Sequence, residues 1–161
     1  QQMQEEIDEA DAVVVSDPLP TIMGDRIQLV QLLQNLIENA LKFRSSERPR
    51  VYMSVKPRGH HWVFSVQDNG IGIDAKFAES VFEVFRRLHD SETYSGTGMG
   101  LVICRKVVDR HGGRIWLDRR GGMGSTFFFT LPMMESDQPK DVTQDGETLD
   151  EIVSEIKNDQ A

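Results

Sequence analysis

One strongly amphipathic helix, followed by two short segments rich in strand-forming residues, most constrains the fold of this sequence. Apolar residues recur at helical spacing from Asp25 to about Phe43 and fall on one side of the helix. They are Leu29, Leu33, Leu36, Ile37, Ala40 and Leu41. The segments 51–55 (VYMSV) and 62–66 (WVFSV) are rich in β-forming residues, and the turn-like KPRGHH between them predicts a hairpin.

A second helix and a second strand pair follow. The helix after Gly98 runs to His111 and stops at Gly112 and Gly113, a usual C-terminal signal. The segments 113–118 and 124–132 predict two strands, and the apolar run at 13–15 predicts an edge strand. This mixed order favours an α+β fold, a two-layer α/β sandwich, over a doubly wound parallel sheet.

Composition limits the class of protein. At 161 residues, 39% hydrophobic and 27% charged, the chain fits one globular domain. No run approaches the roughly 18 apolar residues of a membrane span, and the single cysteine, Cys104, supports neither a disulfide framework nor a metal cluster. We therefore expect a reducing, cytoplasmic setting and no direct membrane contact. The first residue is Gln, which predicts a piece of a longer chain.

Negative charge is concentrated at the C-terminal end. Of the net charge of −8, residues 133–161 contribute −7, from nine acidic residues and two lysines. This distribution argues against nucleic-acid binding, which needs a basic face, and it marks a boundary after residue 132. We predict that 133–161 is a disordered acidic tail, except for a short helix at 148–156. There Leu149, Ile152, Val153 and Ile156 share a face, and Thr148 with Glu151 matches a capping box.

Three glycines alternate in the segment GTGMGL, residues 96–101, directly before the second helix. Glycines spaced in this way let backbone N–H groups surround a phosphate at a helix N-terminus. The segment matches neither the Walker pattern GxxxxGK[ST] nor the dinucleotide pattern GxGxxG. On its own it is equally typical of a flexible spacer.

The polar side of the first helix offers candidate ligands. Gln28, Gln31, Asn35, Glu38, Asn39 and Lys42 lie on one arc, opposite the apolar stripe. Such an arc is usually a solvated face, but asparagine is a mediocre helix former, which weakens that interpretation. The amide oxygens of Asn35 and Asn39 suit Mg²⁺, and the ammonium of Lys42 suits a phosphate.

The segment DNGIGI, residues 68–73, allows two interpretations. A tight turn capped by the Asp68 side chain fits its Asp-Asn-Gly sequence. Alternatively, Asp68 follows a buried strand, and Gly70 and Gly72 let the backbone approach a ligand closely. A carboxylate beside the apolar Ile71 and Ile73 suits the exocyclic amine of a purine.

Four segments together resemble a known family. In order, NLIENALKF, DNGIGI, FEVFRR and GTGMGL resemble the N, G1, F and G2 boxes of the histidine kinase catalytic and ATP-binding domain, a member of the Bergerat-fold superfamily. The resemblance covers about residues 11–132. It implies a mixed, mostly antiparallel sheet of about five strands packed on about three helices, with ATP and Mg²⁺ as cofactors. The run from Phe85 to Trp116 further resembles phytochrome-type and related sensor kinases.

The resemblance implies a domain organisation and roles for the matching residues. Residues 1–12 would end a preceding dimerisation helix or form a linker, and 13–132 would be the ATP-binding domain. Asn39 would bind Mg²⁺, with Asn35 beside it at the phosphates and Lys42 on the phosphate chain. Asp68 would accept from the adenine amine, and the pocket would be completed by Gly70, Gly72, Ile73 and the Thr126 hydroxyl.

A lid over the nucleotide is also implied, from about Arg86 to Gly96. Phe82 and Phe85 would anchor its near end, and Arg87, with Arg86 as the weaker candidate, would reach the terminal phosphate. The far hinge and phosphate-facing turn would be formed by Gly96, Thr97, Gly98, Met99, Gly100 and Leu101. Met99 replaces a commoner Leu or Ile of similar size, so the swap should cost little.

The reaction implied is transfer of the γ-phosphate to a histidine of a separate dimerisation domain, and from there to a response regulator receiver domain. ATP hydrolases and serine kinases of the superfamily usually carry a glutamate base at the position of Asn35, so Asn35 favours histidine as acceptor. Glu38 is a poor substitute base because it points elsewhere around the helix. A Bergerat-fold ATPase or serine kinase, and a non-catalytic nucleotide-binding or interaction module, are the alternatives.

The phosphoacceptor itself is missing from this sequence. It should lie in a helical pattern such as His-Glu-x-x-[Arg/Lys]-[Thr/Ser]-Pro, which none of the four histidines matches. We place His60 and His61 in a hairpin turn, His89 in the lid and His111 at a helix end. We therefore expect this chain to bind ATP without autophosphorylating alone, and the longer parent to be a homodimer.

Overall fold

The computed structural model describes residues 2–83, 99–118 and 123–139. Its sheet has five strands in the order β1-β2-β3-β5-β4. They are β1 (Val13–Ser16), β2 (Arg50–Arg58), β3 (His61–Asp68), β4 (Ile115–Leu117) and β5 (Thr126–Pro132). Only β1 pairs in parallel, with β2, and the other three pairings are antiparallel. The predicted mixed, mostly antiparallel five-stranded sheet with 13–15 at an edge is confirmed.

Three α-helices lie in the described ranges: α1 (Gln2–Glu9), α2 (Arg26–Lys42) and α3 (Gly100–Arg110). Helix α2 begins where the Asp25 side chain accepts a 3.1 Å hydrogen bond from the Gln28 N–H, a standard N-cap. Helix α3 ends at Arg110 with His111 as its C-cap, and Gly112 follows with a φ of 74°, which only glycine adopts at low cost. Short 3₁₀ turns occupy Ala75–Phe77, Ser80–Phe82 and Glu135–Asp137.

The core lies between the helices and one face of the sheet. Alternate residues of β3 and β5 point towards the helices, and the rings of Phe64 and Phe129 stack there at 4.8 Å. On α2 the buried residues are Leu32, Leu36, Ile37, Ala40 and Leu41. Leu32 was absent from the predicted apolar stripe, whereas Leu29 and Leu33 lie at the edge of the core and are only partly buried.

The first hairpin is longer than predicted. The strands β2 and β3 pair from Val51 and Asp68 to Arg58 and His61, so most of the KPRGHH segment belongs to strands and only Gly59 and His60 form the turn. Gly59 has a φ of 60°. Pro57 is tolerated inside β2 because β1 pairs only as far as Met53, which leaves the outer edge of β2 open at the proline.

Beyond β5 the chain still contacts the domain. Met133 is buried, and its N–H donates a 2.9 Å hydrogen bond to the carbonyl of His60 in the hairpin turn. The proposed limits of the ATP-binding domain at 13 and 132 stay predictions, and the predicted helix at 148–156 lies outside the described residues. None of the helices among the described residues is long and apolar enough to cross a membrane.

Candidate nucleotide site

The polar arc of α2 faces the beginning of α3. A β-carbon on Gly100, the first residue of α3, would lie 3.3 Å from Oδ1 of Asn35. Met99, the N-cap residue, has no side-chain oxygen with which to cap the first turn. The N–H groups of that turn therefore need other acceptors, and the helix dipole favours a negative one. Glycine at position 100 keeps this helix N-terminus in contact with an amide of the neighbouring helix.

Asn39 and Lys42 continue the arc towards the end of α2, and both are partly buried. The ammonium of Lys42 lies 5.4 Å from the centroid of the Phe43 ring. Phe43 is the C-cap residue, and its carbonyl accepts a 2.9 Å hydrogen bond from the N–H of Ile71. The end of α2 is thereby attached to the loop that follows Asp68.

Asp68 is held at the end of β3 by two backbone donors. Its Oδ1 accepts from the N–H of Gly70 at 2.9 Å and from the N–H of Ser125 at 3.1 Å. Burial raises the pKa of the Asp68 carboxyl, and these two hydrogen bonds offset part of that rise. Both bonds end on Oδ1, so Oδ2 is the oxygen left for a ligand; no bond to it is formed by the described residues. The carboxylate is an oriented acceptor in a partly buried setting.

The hydrogen bonds of Asp68 are consistent with both interpretations of the segment DNGIGI. The bond from Gly70 is the expected Asp-capped turn. The backbone N–H of Ser125, 57 positions further along the chain, donates to the same carboxylate and so helps to fix its direction. A capped turn and an acceptor site therefore coexist in one side chain.

Two close backbone approaches hold this loop in place. A β-carbon on Gly70 would overlap the carbonyl oxygen of Phe43, and one on Gly124 would overlap the carbonyl oxygen of Asp68. Gly124 also has a φ of 78°, in the left-handed region. The loop therefore packs closely between the end of α2 and the start of β5, which restricts the movement of the Asp68 carboxylate.

Asn69 supplies a further anchor that the sequence did not single out. Its amide oxygen accepts from the N–H of Arg50 at 2.8 Å, and its amide nitrogen donates to the carbonyl of Arg48 at 2.9 Å. These bonds tie the Asp68 loop to the start of β2. The polar sequence Asp-Asn-Gly was the only signal for them, because the partners lie about twenty residues away.

The remaining predicted residues divide into those near Asp68 and those elsewhere. Gly72, with a φ of 79°, and the partly buried Ile73 continue the loop. Phe82 is buried, edge to face with Phe127 at 6.1 Å between ring centroids. Leu101 lies in the first turn of α3 and packs at the edge of the core. The residues Phe85, Arg86, Arg87, Gly96, Thr97 and Gly98 lie outside the described residues.

Thr126, the residue predicted for the adenine pocket, occupies a different position from its neighbour Ser125. Thr126 pairs with Gln67 and has the opposite strand orientation to the buried Phe127, so its side chain belongs to the outer face of the sheet. Ser125 is the residue that contacts the Asp68 carboxylate. The glycine immediately before Ser125 was the available signal, since it marks a close approach to another backbone.

No group of three or more His, Cys, Asp or Glu side chains in the described part of the chain forms a metal site. The described residues of the site do include amide oxygens, on Asn35 and Asn39 of α2. Asn39 offers the hard oxygen donor that Mg²⁺ prefers.

A family model of the histidine kinase-, DNA gyrase B- and HSP90-like ATPases matches residues 24–135. The chain belongs to this family. The range matched by the ATPase family includes α2, the Asp68 loop, α3 and β5, and therefore every residue of the candidate site. The fold and the resemblance predicted from the four sequence boxes are confirmed.

Relatives that the chain is similar to include cyanobacterial phytochromes. The chain is 49% identical over 131 residues to cyanobacterial phytochrome A of Nostoc sp. (strain PCC 7120), which covers 81% of this chain and 17% of the phytochrome. The chain thus spans less than one fifth of that relative's length.

Two solved structures show the same fold. Full-length ShkA in complex with AMPPNP superposes with a TM-score of 0.67 at 29% identity, covering 81% of this chain and 27% of ShkA. The histidine kinase ThkA in complex with the response regulator protein TrrA superposes with a TM-score of 0.64 at 26% identity, covering 85% of this chain and 39% of the matched chain.

Proposed function

We propose that this domain binds ATP with Mg²⁺ and presents the γ-phosphate to a histidine of a separate dimerisation domain. The observation that carries the proposal is the contact between Gly100 and Asn35. It brings a helix N-terminus, which favours anions, against the amide-bearing face of α2. A triphosphate placed there lies alongside Asn35, Asn39 and Lys42.

The adenine end is assigned to Asp68. A carboxylate oxygen that is not used by the loop accepts a hydrogen bond from the exocyclic amine of adenine, whereas guanine presents a carbonyl oxygen at the same place. The backbone bonds from Gly70 and Ser125 fix the direction of the acceptor before the base arrives. Such preorganisation favours ATP over GTP because a mismatched, desolvated carboxylate is costly.

Asn39 is assigned to Mg²⁺, and Lys42 to the phosphate chain. When bound, Mg²⁺ neutralises phosphate charge and helps to orient the terminal phosphate. The protein's own contribution is positioning: the Asn35 amide and the N–H groups at the start of α3 hold the phosphates, and the Lys42 cation offsets their charge.

Histidine fits as the acceptor better than water or serine. A water or hydroxyl nucleophile needs a general base near the terminal phosphate, and the position beside the α3 N-terminus holds Asn35. Glu38, the nearby carboxylate, is exposed on α2 and lies close enough to Glu6 of α1 to be affected by its charge. Partial burial and the charge of Glu6 raise the pKa of the Glu38 carboxyl. An imidazole acceptor is already nucleophilic and needs less help.

The partners proposed follow from this reaction and from the family. They are a dimerisation domain that carries the phosphoacceptor histidine, in a homodimeric parent, and a response regulator receiver domain downstream. The ThkA complex with a response regulator supports the second partner. A cytoplasmic site of action belongs to the same proposal.

Isothermal titration with ATP and Mg²⁺ tests the nucleotide part of the proposal. Asn39→Asp adds a negative charge beside the phosphates and should weaken Mg²⁺-ATP binding at least tenfold while leaving the melting temperature unchanged. Gln34→Glu is the matched control, because it makes the same change at an exposed position of the same helix. Equal affinities for the wild type and Asn39→Asp would contradict the role of Asn39.

A further inference from the structure

The outer face of the sheet, turned away from α2 and α3, carries an apolar strip. Strand pairing places its residues in rows. Ser54, Ser65, Phe128 and Trp116 form one row across four strands, and Lys56, Val63 and Thr130 form the next. Val63, Phe128 and Trp116 are the apolar members, and they are half-buried. We call these three residues the outer strip.

Stacking gives the outer strip a defined surface. The rings of Trp116 and Phe128 lie 5.5 Å apart with an angle of 15° between their planes. The guanidinium of Arg114 lies 5.9 Å from the centroid of the Trp116 ring. The backbone N–H of Arg114 donates a 3.0 Å hydrogen bond to the Thr130 hydroxyl. An aromatic platform therefore carries a cation at its edge.

Positive charge lies along one end of the outer strip. Lys56 and Arg58 are the last outward-facing residues of β2, and Arg114 precedes β4. Among the outward-facing strand residues of β2, β3, β4 and β5, all of which the structure describes, there is no Asp or Glu. The strip opens into a groove of about 850 Å³ whose lining includes Arg58, Val63, Arg114 and Trp116. The same groove is also lined by Arg105 and by the acidic residues Glu79, Asp109 and Asp118. The end of the outer strip nearest Lys56, Arg58 and Arg114 suits an apolar ligand that also carries negative charge.

The chain itself contains a segment of that chemistry. Residues 148–156, TLDEIVSEI, place Leu149, Ile152, Val153 and Ile156 on one side of a predicted helix. The same nine residues carry Asp150, Glu151 and Glu155 and no cation. One short segment therefore carries both apolar side chains, which suit the outer strip, and carboxylates, which suit the neighbouring cations.

The connection is long enough for this segment to reach the outer strip of its own molecule. The bond from the Met133 N–H to the His60 carbonyl fixes the chain at the turn between β2 and β3. From there, Phe128 lies four residues along β5 from Pro132, about 13 Å at strand spacing. The ten residues from Pro139 to Leu149 span up to about 33 Å when extended.

We propose that residues 148–156 dock, within the same chain, on the outer strip. Their apolar side packs against Val63, Phe128 and Trp116, and their carboxylates pair with Lys56, Arg58 and Arg114. The contact lies on the opposite side of the sheet from the candidate nucleotide site. It is therefore independent of the function proposed for that site.

A nitroxide label on the tail tests this docking in the full chain. Lys157→Cys places the label next to the segment, and the native Cys104 stays unlabelled because it is buried, which raises the pKa of its thiol to about 12. In an isotope-enriched sample, the amide signals of Val63, Trp116 and Phe128 should lose intensity when the label is oxidised. Gln31 and Gln34, exposed on α2, should keep theirs.

Two paired variants sharpen the result. Ile152→Ser in the tail and Arg114→Glu on the sheet should each restore at least half of the lost intensity, whereas Arg110→Glu, an equal charge reversal on α3, should restore none. Uniform intensity across the domain, or equal losses on α2 and on the outer strip, would overturn the proposal. So would losses that arise only between labelled and isotope-enriched copies mixed together, since docking would then join two molecules.

Discussion

Gly100 and Asn35 meet at the point where α3 begins, with only 3.3 Å between the place of a β-carbon on the glycine and the asparagine Oδ1. This contact joins the two helices that carry the phosphate-binding residues. A methyl group at position 100 would force the Asn35 amide to move by a few tenths of an ångström, although alanine is the better helix former by roughly 0.5–1 kcal/mol.

We therefore expect Gly100→Ala to leave the free energy of unfolding unchanged or slightly higher, and to weaken ATP binding several-fold. The measurement is a double-mutant cycle with Asn35→Ala, using titration calorimetry and chemical denaturation. In the Asn35→Ala background the added methyl has room, so its effect on affinity should largely vanish. An equal loss of affinity in both backgrounds would show that the contact does not position Asn35.

Asp68→Asn should weaken ATP binding while keeping the hydrogen bonds that hold the Asp68 loop. The asparagine Oδ1 can still accept from Gly70 and Ser125, but an amide NH₂ takes the place of Oδ2 and faces the adenine amine, donor against donor. We expect at least a tenfold loss of ATP affinity, about 1.4 kcal/mol. Asp109→Asn, an exposed position on α3, is the control and should bind normally. Unchanged discrimination between ATP and GTP in Asp68→Asn would contradict the role of the carboxylate.

The same substitution should change how the free energy of unfolding depends on pH. Because burial raises the pKa of Asp68 above its ordinary value of 3.8, the folded protein holds this proton more tightly than the unfolded chain does. The contribution of Asp68 to the free energy of unfolding therefore falls as the pH rises from 3.8 through the raised pKa, and ionised Asp68 costs stability at pH 7. Denaturation of Asp68→Asn between pH 4 and 7 should show a stability that declines less with rising pH than that of the wild type. A steeper decline would mean that the carboxylate stabilises the fold.

Gly124 should be much less tolerant of a side chain than Gly59. Both have a positive φ, of 78° and 60°, so alanine at either position carries a similar backbone penalty of roughly 1 kcal/mol. A β-carbon at Gly59 meets nothing within 4 Å, whereas one at Gly124 overlaps the Asp68 carbonyl. Urea denaturation should show Gly124→Ala to be less stable than Gly59→Ala by at least about 2 kcal/mol. Equal losses would show that β5 and the Asp68 loop are not in close contact.

His111 connects the far ends of the two site helices. Its Nε2 accepts from the N–H of Asp25 at 3.0 Å, and Nδ1 lies 2.7 Å from the Val107 carbonyl, to which it donates in the tautomer that this acceptor role requires. A β-carbon on Gly24 would lie 2.6 Å from the imidazole Cδ2. His111→Ala should lower the free energy of unfolding by roughly 1 kcal/mol.

A double-mutant cycle distinguishes this contact from a general loss of packing. Gly24→Ala should be destabilising alone, yet nearly neutral in the His111→Ala background, where the ring no longer occupies the space. Additive losses in denaturation experiments would show that Gly24 and His111 do not touch.

The structural features predicted most reliably from the sequence are those that depend on residues close together in the chain. The helix α2 was expected from Asp25 to about Phe43 and runs from Arg26 to Lys42, because its periodicity and its cap are both local. The Asp68 turn was equally local. Ser125 was missed because its bond to Asp68 crosses 57 positions and is donated by the backbone N–H, which every residue except proline carries. The length of the first hairpin was underestimated because the whole segment KPRGHH was interpreted as turn-like, although Pro57 fits inside β2 where the outer edge of that strand is unpaired.

Transfer of labelled phosphate is the most direct test of the proposed reaction. The domain is mixed with γ-labelled ATP, Mg²⁺ and the dimerisation domain of its parent, and the product is analysed for acid and alkali stability. We expect label on a histidine, lost in acid and retained in alkali, produced by the wild type and Gln34→Glu but reduced at least tenfold in Asn39→Asp. Tight ATP binding without any labelled histidine, acid-stable label on a serine, or multiple-turnover ADP release without label would contradict it.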